Sequence, residues 1–326
     1  MTCDNSNLKN NKNNLLRIGT RTSKLALAQV AEIHLLIADH FPDYKIEIVT
    51  ITTSGDKIKE ENLAKFGGKG LFIKELEEAL IDNKIDLAIH SAKDIPPEVD
   101  QATQLIAFTQ RLDPRDCLIS QKYKNIQELP KNAVIGTSSP RRKAMLLKQR
   151  SDLKIINFRG NVDTRLRKAL EEGLVDATIL AIAGLERLGK NQLIKQAINI
   201  DEMLPAGGQG ALAIQIRKND QHLAKMIAKI NDQDSAICIQ AEREFLKELG
   251  ASCNSAVGVY GEIKNKKLFL KTIILDHDGQ SYYQADGQCK VTLEDAKNLA
   301  LKLAKQTKKE AKELWSKIVI PFPIFN

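Results

Sequence analysis

Residues 133–149 read AVIGTSSPRRKAMLLKQ, in which a short apolar strand pattern passes through a hydroxyl-rich turn into a helix pattern. Pro140 suits this place, because proline is well tolerated in the first turn of a helix. Arg141 and Arg142 follow in the same turn, where the helix dipole already leaves partial positive charge. The arrangement is locally unfavourable, and it predicts a negatively charged partner beside the two arginines.

The same succession of strand and helix occurs on both sides of this stretch. On the N-terminal side, strands are predicted at 15–19, 44–52 and 84–90, and helices at 22–41 and 70–82. On the C-terminal side, strands are predicted at 153–158 and 176–181, and helices at 161–173 and 182–189. Two more strand patterns, QLIAFT and CLIS, lie between the two sets, and the glycine-rich LPAGGQGALAIQIR (204–217) leads into another. This alternation predicts two similar α/β domains with parallel sheets and crossover helices.

The two ends of the chain differ from the rest in their sequence pattern. From about residue 233 the pattern changes to a helix, then strands separated by turns, then a helix that begins near Thr292. Runs of strands followed by helices are typical of α+β domains, so a small third domain of this class is predicted. Residues 1–14 are polar and rich in Asn and Lys, which predicts a disordered tail.

The composition limits the possible partners. The 326-residue chain carries 49 Lys and Arg against 41 Asp and Glu, a formal net charge of +8, which is compatible with nucleic acid, an anionic surface or acidic small molecules. Aromatic residues make up only 5%, which argues against stacking platforms for single-stranded nucleic acid. Neither a membrane-spanning run of roughly 20 apolar residues nor a secretory signal pattern is present, so a cytoplasmic protein is predicted. Five cysteines at scattered spacings argue against a zinc site or a disulfide framework.

Cationic and hydroxyl side chains follow four of the predicted strands, at the edge of an α/β sheet where ligands usually bind. They are Arg21 and Ser23, then Lys93, then Thr137, Ser138, Ser139, Arg141 and Arg142, and finally Arg159 with Gly160 and Arg165. Any one of these arginines could be solvated surface charge, as most arginines are. Arginines that were merely exposed on the surface would not be expected to concentrate at strand ends. The arginine side chain is also suited to bidentate recognition of carboxylate or phosphate. The set therefore predicts a ligand with several negative groups, held between two α/β lobes.

Asp94 is the carboxylate that stands among these cations. It could form an ion pair with Lys93 or with an arginine of the cleft. A lone carboxylate among arginines also stays ionised at neutral pH and can stabilise a cation that develops during a reaction. The residues alone leave both interpretations open.

Two further segments also allow two interpretations each. The glycine-rich stretch 55–72, with Lys69 and Phe72 near its end, is either a mobile surface loop or a lid over a charged cleft. Cys253 lies among small residues in LGASCNSAVG, so its thiol is either a buried apolar group or an approachable nucleophile. Spacing alone favours the buried cysteine.

A series of motifs follows in order along the chain: RIGTRTSKLALAQ, GGKGLFIKELEEAL, DLAIHSAKDIP, DPRDCLIS, IGTSSPRRKAML, NFRGNVDTRL, ATILAIAGLERLG, LPAGGQGALAIQIR and EREFLKELGASC. Together they resemble the hydroxymethylbilane synthase family, also called porphobilinogen deaminases, over about residues 15 to 320. The resemblance implies a transferase of haem biosynthesis. Such an enzyme condenses four porphobilinogen molecules head to tail, releases ammonia at each step and then hydrolyses off linear hydroxymethylbilane.

The resemblance also implies roles for individual residues. A dipyrromethane cofactor, built from the same substrate, is expected on Cys253 through a thioether, which reverses the preference from spacing. The catalytic carboxylate corresponds to Asp94, which is expected to stabilise the azafulvenium ion that is left when ammonia departs. The substrate- and cofactor-binding groups correspond to Arg21, Ser23, Lys93, Ser139, Arg141, Arg142, Arg159 and Arg165, the active-site loop to Lys69 and Phe72, and Gln29, Thr137, Ser138 and Gly160 are expected to contribute nearby.

The fold that the resemblance implies has two domains like those of periplasmic binding proteins, at 15–110 with 205–230 and at 111–204. A third, α+β domain at 231–326 is expected to carry the cofactor cysteine. The chain departs from the family around that residue, because Ala251 and Ser252 precede Cys253 where two glycines are common, and a usual proline is absent from Asn254-Ser255-Ala256. The departure is expected to change the stiffness of the loop.

Two alternatives belong to other functional classes. A solute-binding module with two α/β lobes would share the cleft and the arginines but would need neither Cys253 nor Asp94. A nucleic-acid-binding protein would share the positive charge but would spread its basic residues along one exposed face. The sequence favours an enzyme that acts as a monomer on a small molecule, with no metal, nucleic acid or membrane as partner.

Overall fold

The computed structural model describes residues 14–53, 73–252 and 254–319. Its strands are β1 (Leu15–Thr20), β2 (Lys45–Thr50), β3 (Leu87–Ser91), β4 (Thr103–Phe108), β5 (Asp116–Ile119), β6 (Val134–Gly136), β7 (Lys154–Ile156), β8 (Ala177–Ala181), β9 (Gln196–Ala197), β10 (Leu212–Arg217), β11 (Val257–Lys264), β12 (Lys267–Leu275) and β13 (Tyr282–Lys290). Its α-helices are α1 (Lys24–His40), α2 (Lys74–Ile81), α3 (Pro140–Gln149), α4 (Val162–Leu170), α5 (Ile182–Arg187), α6 (Gln221–Ile227), α7 (Gln233–Leu249), α8 (Leu293–Glu310) and α9 (Lys312–Val319). Short 3-10 helices occupy Ala92–Asp94, Asn191–Leu193 and Ala228–Ile230.

The first sheet has the strand order β2-β1-β3-β10-β4. Strand β1 is parallel to β2 and β3, whereas β10 is antiparallel to both of its neighbours. Helix α1 covers this sheet because Val30, Ile33 and Ile37 recur at helical spacing on one face, and all three are fully buried. They pack in the same apolar cluster as strand residues such as Ile18 and Ile214.

The second sheet repeats this plan with the order β7-β6-β8-β5-β9. Strands β6, β7 and β8 are parallel, and β5 is antiparallel to β8 and β9. In each sheet the antiparallel inner strand, β10 or β5, directly follows a passage of the chain from the other sheet. The prediction of two similar α/β domains is confirmed, but the sheets are mixed rather than purely parallel, because each passage brings in a strand of opposite direction.

The third sheet is the antiparallel β11-β12-β13, covered by α7 and α8. Phe245 of α7, Leu270 of β12 and Leu303 of α8 lie in its apolar core. The small C-terminal α+β region is thereby confirmed, while the residue boundaries of the three domains stay predictions. Within the described ranges, no helix is long and apolar enough to cross a membrane. The predicted tail lies outside those ranges, apart from Asn14.

Glu242 of α7 joins the third sheet to both passages between the α/β domains. Its carboxylate is fully buried and accepts two hydrogen bonds from the Arg111 guanidinium, at 2.8 and 2.9 Å. It also accepts from the backbone N–H groups of Gly208, at 2.6 Å, and Gly261, at 2.7 Å. Arg111 lies on the first passage and Gly208 on the second, so one side chain of α7 fixes the place where the three parts of the molecule meet.

Candidate active site

Helix α3 begins as its sequence suggests. Ser139 caps it, because the hydroxyl oxygen accepts a hydrogen bond from the backbone N–H of Arg142 at 3.4 Å, and Pro140 occupies the first turn. The hydroxyl of Thr137 in turn accepts from the backbone N–H of Ser139 at 3.2 Å. These contacts set the direction in which Arg141 and Arg142 leave the helix.

The negative partner predicted for these arginines is a carboxylate of the protein, Asp116 at the start of β5. Arg142 donates from Nε and Nη2 to Asp116 Oδ1 at 3.2 and 2.7 Å, and Arg141 Nη2 lies 2.8 Å from Asp116 Oδ2. All three side chains are buried. Burial alone would raise the pKa of Asp116, but the charges of Arg141 and Arg142 hold it well below its usual range. The arginines also donate to main-chain carbonyls, Arg141 to Leu204 at 2.7 Å and Arg142 to Ile179 at 2.9 Å.

This partner corrects the expectation that an acidic ligand accounts for the two arginines at the helix start. Their guanidinium groups are fixed in place by Asp116 and by carbonyl oxygens, and their contact with a ligand remains a prediction. Asp116 was missed at the sequence level. The signal was available in DPRDCLIS, which places an aspartate at the start of a predicted strand, but nothing in the motif separates Asp113 from Asp116.

Lys93 links the first α/β domain to this buried group. Its Nζ donates to Gln209 Oε1 at 3.2 Å, and Gln209 Nε2 donates to Asp116 Oδ1 at 3.0 Å. Burial lowers the pKa of Lys93 to about 8, and the positive charge of Arg142 lowers it further. The carboxylates of Asp94 and Asp116 oppose this shift. Lys93 thus lies close to charges of both signs, among them Arg142, Asp94 and Asp116.

Arg165 and Arg159 extend the cationic region on the second α/β domain. Arg165 of α4 donates from Nε to the carbonyl of Gly160 at 2.7 Å. Burial lowers the pKa of Arg165 to about 10, and repulsion from Arg142 and Arg159 adds to the lowering while the Asp94 carboxylate opposes it. Asp94 itself is exposed, at the end of the 3-10 helix Ala92–Asp94. The structure therefore brings Asp94 into electrostatic contact with cations from both α/β domains.

Arg21, Ser23 and Gln29 lie on the same side of the first sheet as the Asp94 segment. Ser23 caps α1 by accepting from the backbone N–H of Ala26 at 3.2 Å. The buried Gln29 donates from Nε2 to Ser91 Oγ at 2.8 Å, three residues before Asp94. Burial lowers the pKa of His90 to about 4, and the charge of Arg21 adds to this lowering. A hydrogen bond with Gln215 acts in the opposite direction. Arg21 is therefore close to the segment that carries Lys93 and Asp94.

The loop after β7 is organised around Asn157, which the sequence analysis did not single out. Ser138 Oγ donates to Asn157 Oδ1 at 2.5 Å and accepts from the backbone N–H of Phe158 at 3.0 Å, while Arg159 Nε donates to Asn157 Oδ1 at 3.3 Å. Gly160 has a φ of +118°, a conformation that favours glycine, and an added Cβ would lie 2.7 Å from the Thr164 side chain. Ser138, Arg159 and Gly160 thus share one ordered turn.

Three of the predicted site residues, Lys69, Phe72 and Cys253, lie outside the described residues. The residues that flank Cys253 are described. Ser255 Oγ accepts from the backbone N–H of Ser252 at 3.1 Å and donates to the carbonyl of Ile318 at 3.1 Å. Trp315 Nε1 donates to the carbonyl of Leu249 at 2.9 Å. Helix α9 therefore holds the chain on both sides of the cysteine.

The charges of the described cluster fit a ligand with several carboxylates. Arg141, Arg142, Arg159, Arg165 and Lys93 contribute five cations, whereas Asp94 and Asp116 contribute two carboxylates. Crowding of like charges is one reason why the pKa values of Lys93 and Arg165 are low, so bound anions would relieve it. An oligopyrrole with an acetate and a propionate on each ring has the complementary chemistry.

Comparison with known proteins identifies the family of the chain. The family model described as porphobilinogen deaminase, dipyromethane cofactor binding domain, matches residues 16–225, and the porphobilinogen deaminase C-terminal domain matches residues 236–309. A porphobilinogen deaminase of Alkaliphilus metalliredigens is 45% identical over 265 residues, which covers 81% of this chain and 84% of that protein. A porphobilinogen deaminase of Limosilactobacillus reuteri is 46% identical over 269 residues, or 82% of this chain and 88% of that protein.

Among solved structures, a periplasmic binding protein of Salmonella typhimurium aligns at a TM-score of 0.38 and 14% identity, over 68% of this chain and 93% of that one. The two family models together cover most of the chain, including both α/β domains and the C-terminal region. The chain belongs to the porphobilinogen deaminase family.

Proposed function

We propose that the chain joins four porphobilinogen molecules head to tail, releases ammonia at each step and finally hydrolyses the product to linear hydroxymethylbilane, in tetrapyrrole biosynthesis. The observation that carries this assignment is the excess of cations from both α/β domains around one exposed carboxylate, Asp94. Membership of the porphobilinogen deaminase family supplies the reaction to which that geometry is matched.

The cationic cluster holds the acidic side chains of the substrate and of the growing product. Each porphobilinogen brings an acetate and a propionate, so every added ring needs further positive partners. Arg159, Arg165 and Lys93 are half-buried and can present N–H donors to these groups. Arg141 and Arg142 are held by Asp116 before any ligand arrives, so little reorganisation is needed when a carboxylate binds.

The dipyrromethane cofactor fits the same region, because its two rings carry acetate and propionate groups like those of the substrate. Arg141, Arg142 and Lys93 would hold these groups, and Cys253 would bind the cofactor through its sulfur. When bound, the cofactor supplies the terminal pyrrole to which the first substrate unit is joined. Ser252 and Ser255 support this assignment by ordering the chain next to Cys253.

Asp94 performs the acid–base and electrostatic part of the reaction. Its carboxylate accepts a hydrogen bond from the pyrrole N–H of the substrate and stabilises the positive charge that develops there as ammonia leaves. After the new carbon–carbon bond forms, the same carboxylate can take the proton that departs from the attacked α-carbon.

Consumption of porphobilinogen by the purified protein, with porphyrin formation after acidification, tests the proposal. The expected result is turnover by the wild-type chain after incubation with porphobilinogen or hydroxymethylbilane. Absence of turnover from a folded protein that carries the cofactor would overturn the assignment. Intact-protein mass identifies that form, because two linked pyrrole units add to the mass of the bare chain.

We further propose that the protein acts as a monomer in the cytoplasm. Light scattering on the purified protein tests the oligomeric state, and a mass of twice 36.3 kDa would contradict it. Fractionation of cells tests the location.

A further inference from the structure

Arg243 of α7 donates hydrogen bonds to three successive main-chain carbonyls. Its guanidinium reaches the oxygens of Ile95 at 3.3 Å, Pro96 at 2.8 Å and Pro97 at 3.0 Å. These three residues directly follow Asp94. A side chain of the C-terminal region is therefore hydrogen-bonded to the segment that carries the proposed catalytic carboxylate.

The chemistry of this contact suits positioning. Proline fixes its own φ near −65° and has no N–H, so Pro96 and Pro97 form a stiff segment whose carbonyls need donors from elsewhere. The planar guanidinium offers five N–H donors in a fixed geometry, and it can satisfy several oxygens at once. Burial lowers the pKa of Arg243 to about 10. The partners that the structure gives this side chain are carbonyl oxygens, whose dipoles orient it.

The part of helix α7 that carries Arg243 is itself held firmly in place. The preceding residue, Glu242, is fully buried and is fixed by Arg111 and by the backbone of Gly208 and Gly261. Both side chains belong to the 17-residue helix α7. Its last residue, Leu249, is six residues after Arg243, which corresponds to about 9 Å of helix. The same helix thus leads into the part of the chain that contains Cys253.

We propose that Arg243 is a positioning residue for the reaction: it holds the Asp94 segment against helix α7 and thereby fixes the place of the carboxylate. The inference rests on the proposed function, because it assumes that Asp94 acts on the substrate. It assigns to the C-terminal region a part in the chemistry of the cleft. Displacement of a catalytic group by about 1 Å can cost about 100-fold in rate, so a small loosening of this contact should be visible in kcat.

The test compares Arg243→Met with a matched control, Arg150→Met. Arg150 also donates to three main-chain carbonyls, those of Ile126 and Leu129 at 3.2 Å and Pro130 at 3.4 Å, but at the opposite end of α3 from Arg141 and Arg142. Arg150 also pairs with Asp152 at 2.7 and 2.8 Å, so Arg150→Met loses at least as many hydrogen bonds as Arg243→Met and its thermal stability should fall too. For Arg243→Met we expect kcat per cofactor-carrying molecule to fall about 10- to 100-fold with little change in KM. Arg150→Met should keep kcat within about 2-fold.

A conservative variant and a second background make the test specific. Arg243→Lys can reach only part of the carbonyl set, so its kcat should lie between those of wild type and Arg243→Met. It also serves if Arg243→Met does not fold. In an Asp94→Glu background, where the carboxylate is already displaced, Arg243→Met should cost less in kcat than it does in the wild type.

The outcomes separate the two proposals. If the wild type does not consume porphobilinogen, the proposed function fails. If the wild type is active but Arg243→Met resembles Arg150→Met in kcat, the positioning role fails while the function stands. Equal losses in the Asp94 and Asp94→Glu backgrounds would also overturn the positioning role, because the two residues would then act independently.

Discussion

The guanidinium of Arg142 lies 2.7 Å from the carboxylate of Asp116, and less than a tenth of either side chain is exposed to solvent. Because Arg141 shares the same carboxylate, Asp116 is the counterion of a buried group that carries one more positive than negative charge. This relationship places two cations at a helix start before any ligand is present. It also makes their position dependent on a residue of strand β5.

Replacement of Asp116 by Asn should destabilise the protein by about 3–5 kcal/mol, because the change leaves two buried guanidinium groups without a counterion. Urea-induced unfolding measures the loss, and intact-protein mass measures cofactor loading, which should fall as well. Asp113→Asn is the control. Asp113 pairs with Arg115 near the surface, so its loss should cost at most about 1 kcal/mol. Equal effects of the two changes would contradict the role given to Asp116.

Replacement of Asp94 by Asn should keep the fold and the cofactor but lower kcat by at least about 100-fold, because the substrate cation loses its stabilising charge. Asp94→Glu should also be impaired, since the longer side chain misplaces the carboxylate. Steady-state porphobilinogen consumption measures both. Glu98→Gln is a suitable control, because Glu98 is exposed and pairs with Lys247. Near wild-type turnover by Asp94→Asn would refute the catalytic role.

Substrate affinity should weaken as the pH rises above about 8. Lys93, whose pKa is about 8, is protonated below that value and loses its charge above it. A bound carboxylate favours the charged form, so binding raises the pKa of Lys93 and is tightest at the lower pH. KM for porphobilinogen, measured between about pH 7 and 9.5, should therefore rise through this range. Lys93→Arg does not titrate there and should remove most of the rise; an unchanged rise in that variant would assign it to another group.

The thiol of Cys253 should carry the cofactor. After incubation with porphobilinogen or hydroxymethylbilane, the wild type should be heavier than its sequence by two linked pyrrole units, whereas Cys253→Ser should show the bare mass. Cys289→Ser provides a matched control, since Cys289 is a half-buried thiol of β13 and its replacement should keep the added mass. A wild-type chain that stays at its bare mass after this incubation would contradict covalent attachment.

The sequence predicted the alternation of strands and helices well, because apolar periodicity and glycine-rich turns are local signals. Residues 204–217 illustrate this, since the predicted turn leads into β10 as expected. Antiparallel insertion of β5 and β10 was not predicted, because strand order depends on pairings between residues far apart in sequence.

The sequence likewise identified some residues of the candidate site and missed others. Arg159, Arg165 and Lys93 were found because strand ends converge in α/β sheets, and the structure brings their charges together. Asp116 and Arg243 were not, because their roles depend on burial and on partners that are 26 and about 150 residues away. The role of Cys253 came from the family resemblance rather than from spacing, which favoured a buried thiol.

Strand β10 lies between β3 and β4, so β4 has no partner in its sheet until Leu212–Arg217 has been made. About 100 residues, including the whole second sheet, leave the ribosome in that interval, which takes about 5 to 20 s at usual translation speeds. The strands of the second sheet, β5 to β9, are continuous in the chain, so this sheet can form while those residues are being synthesised. In the nascent polypeptide, the strands of the second sheet are therefore all present before the first sheet receives its last strand.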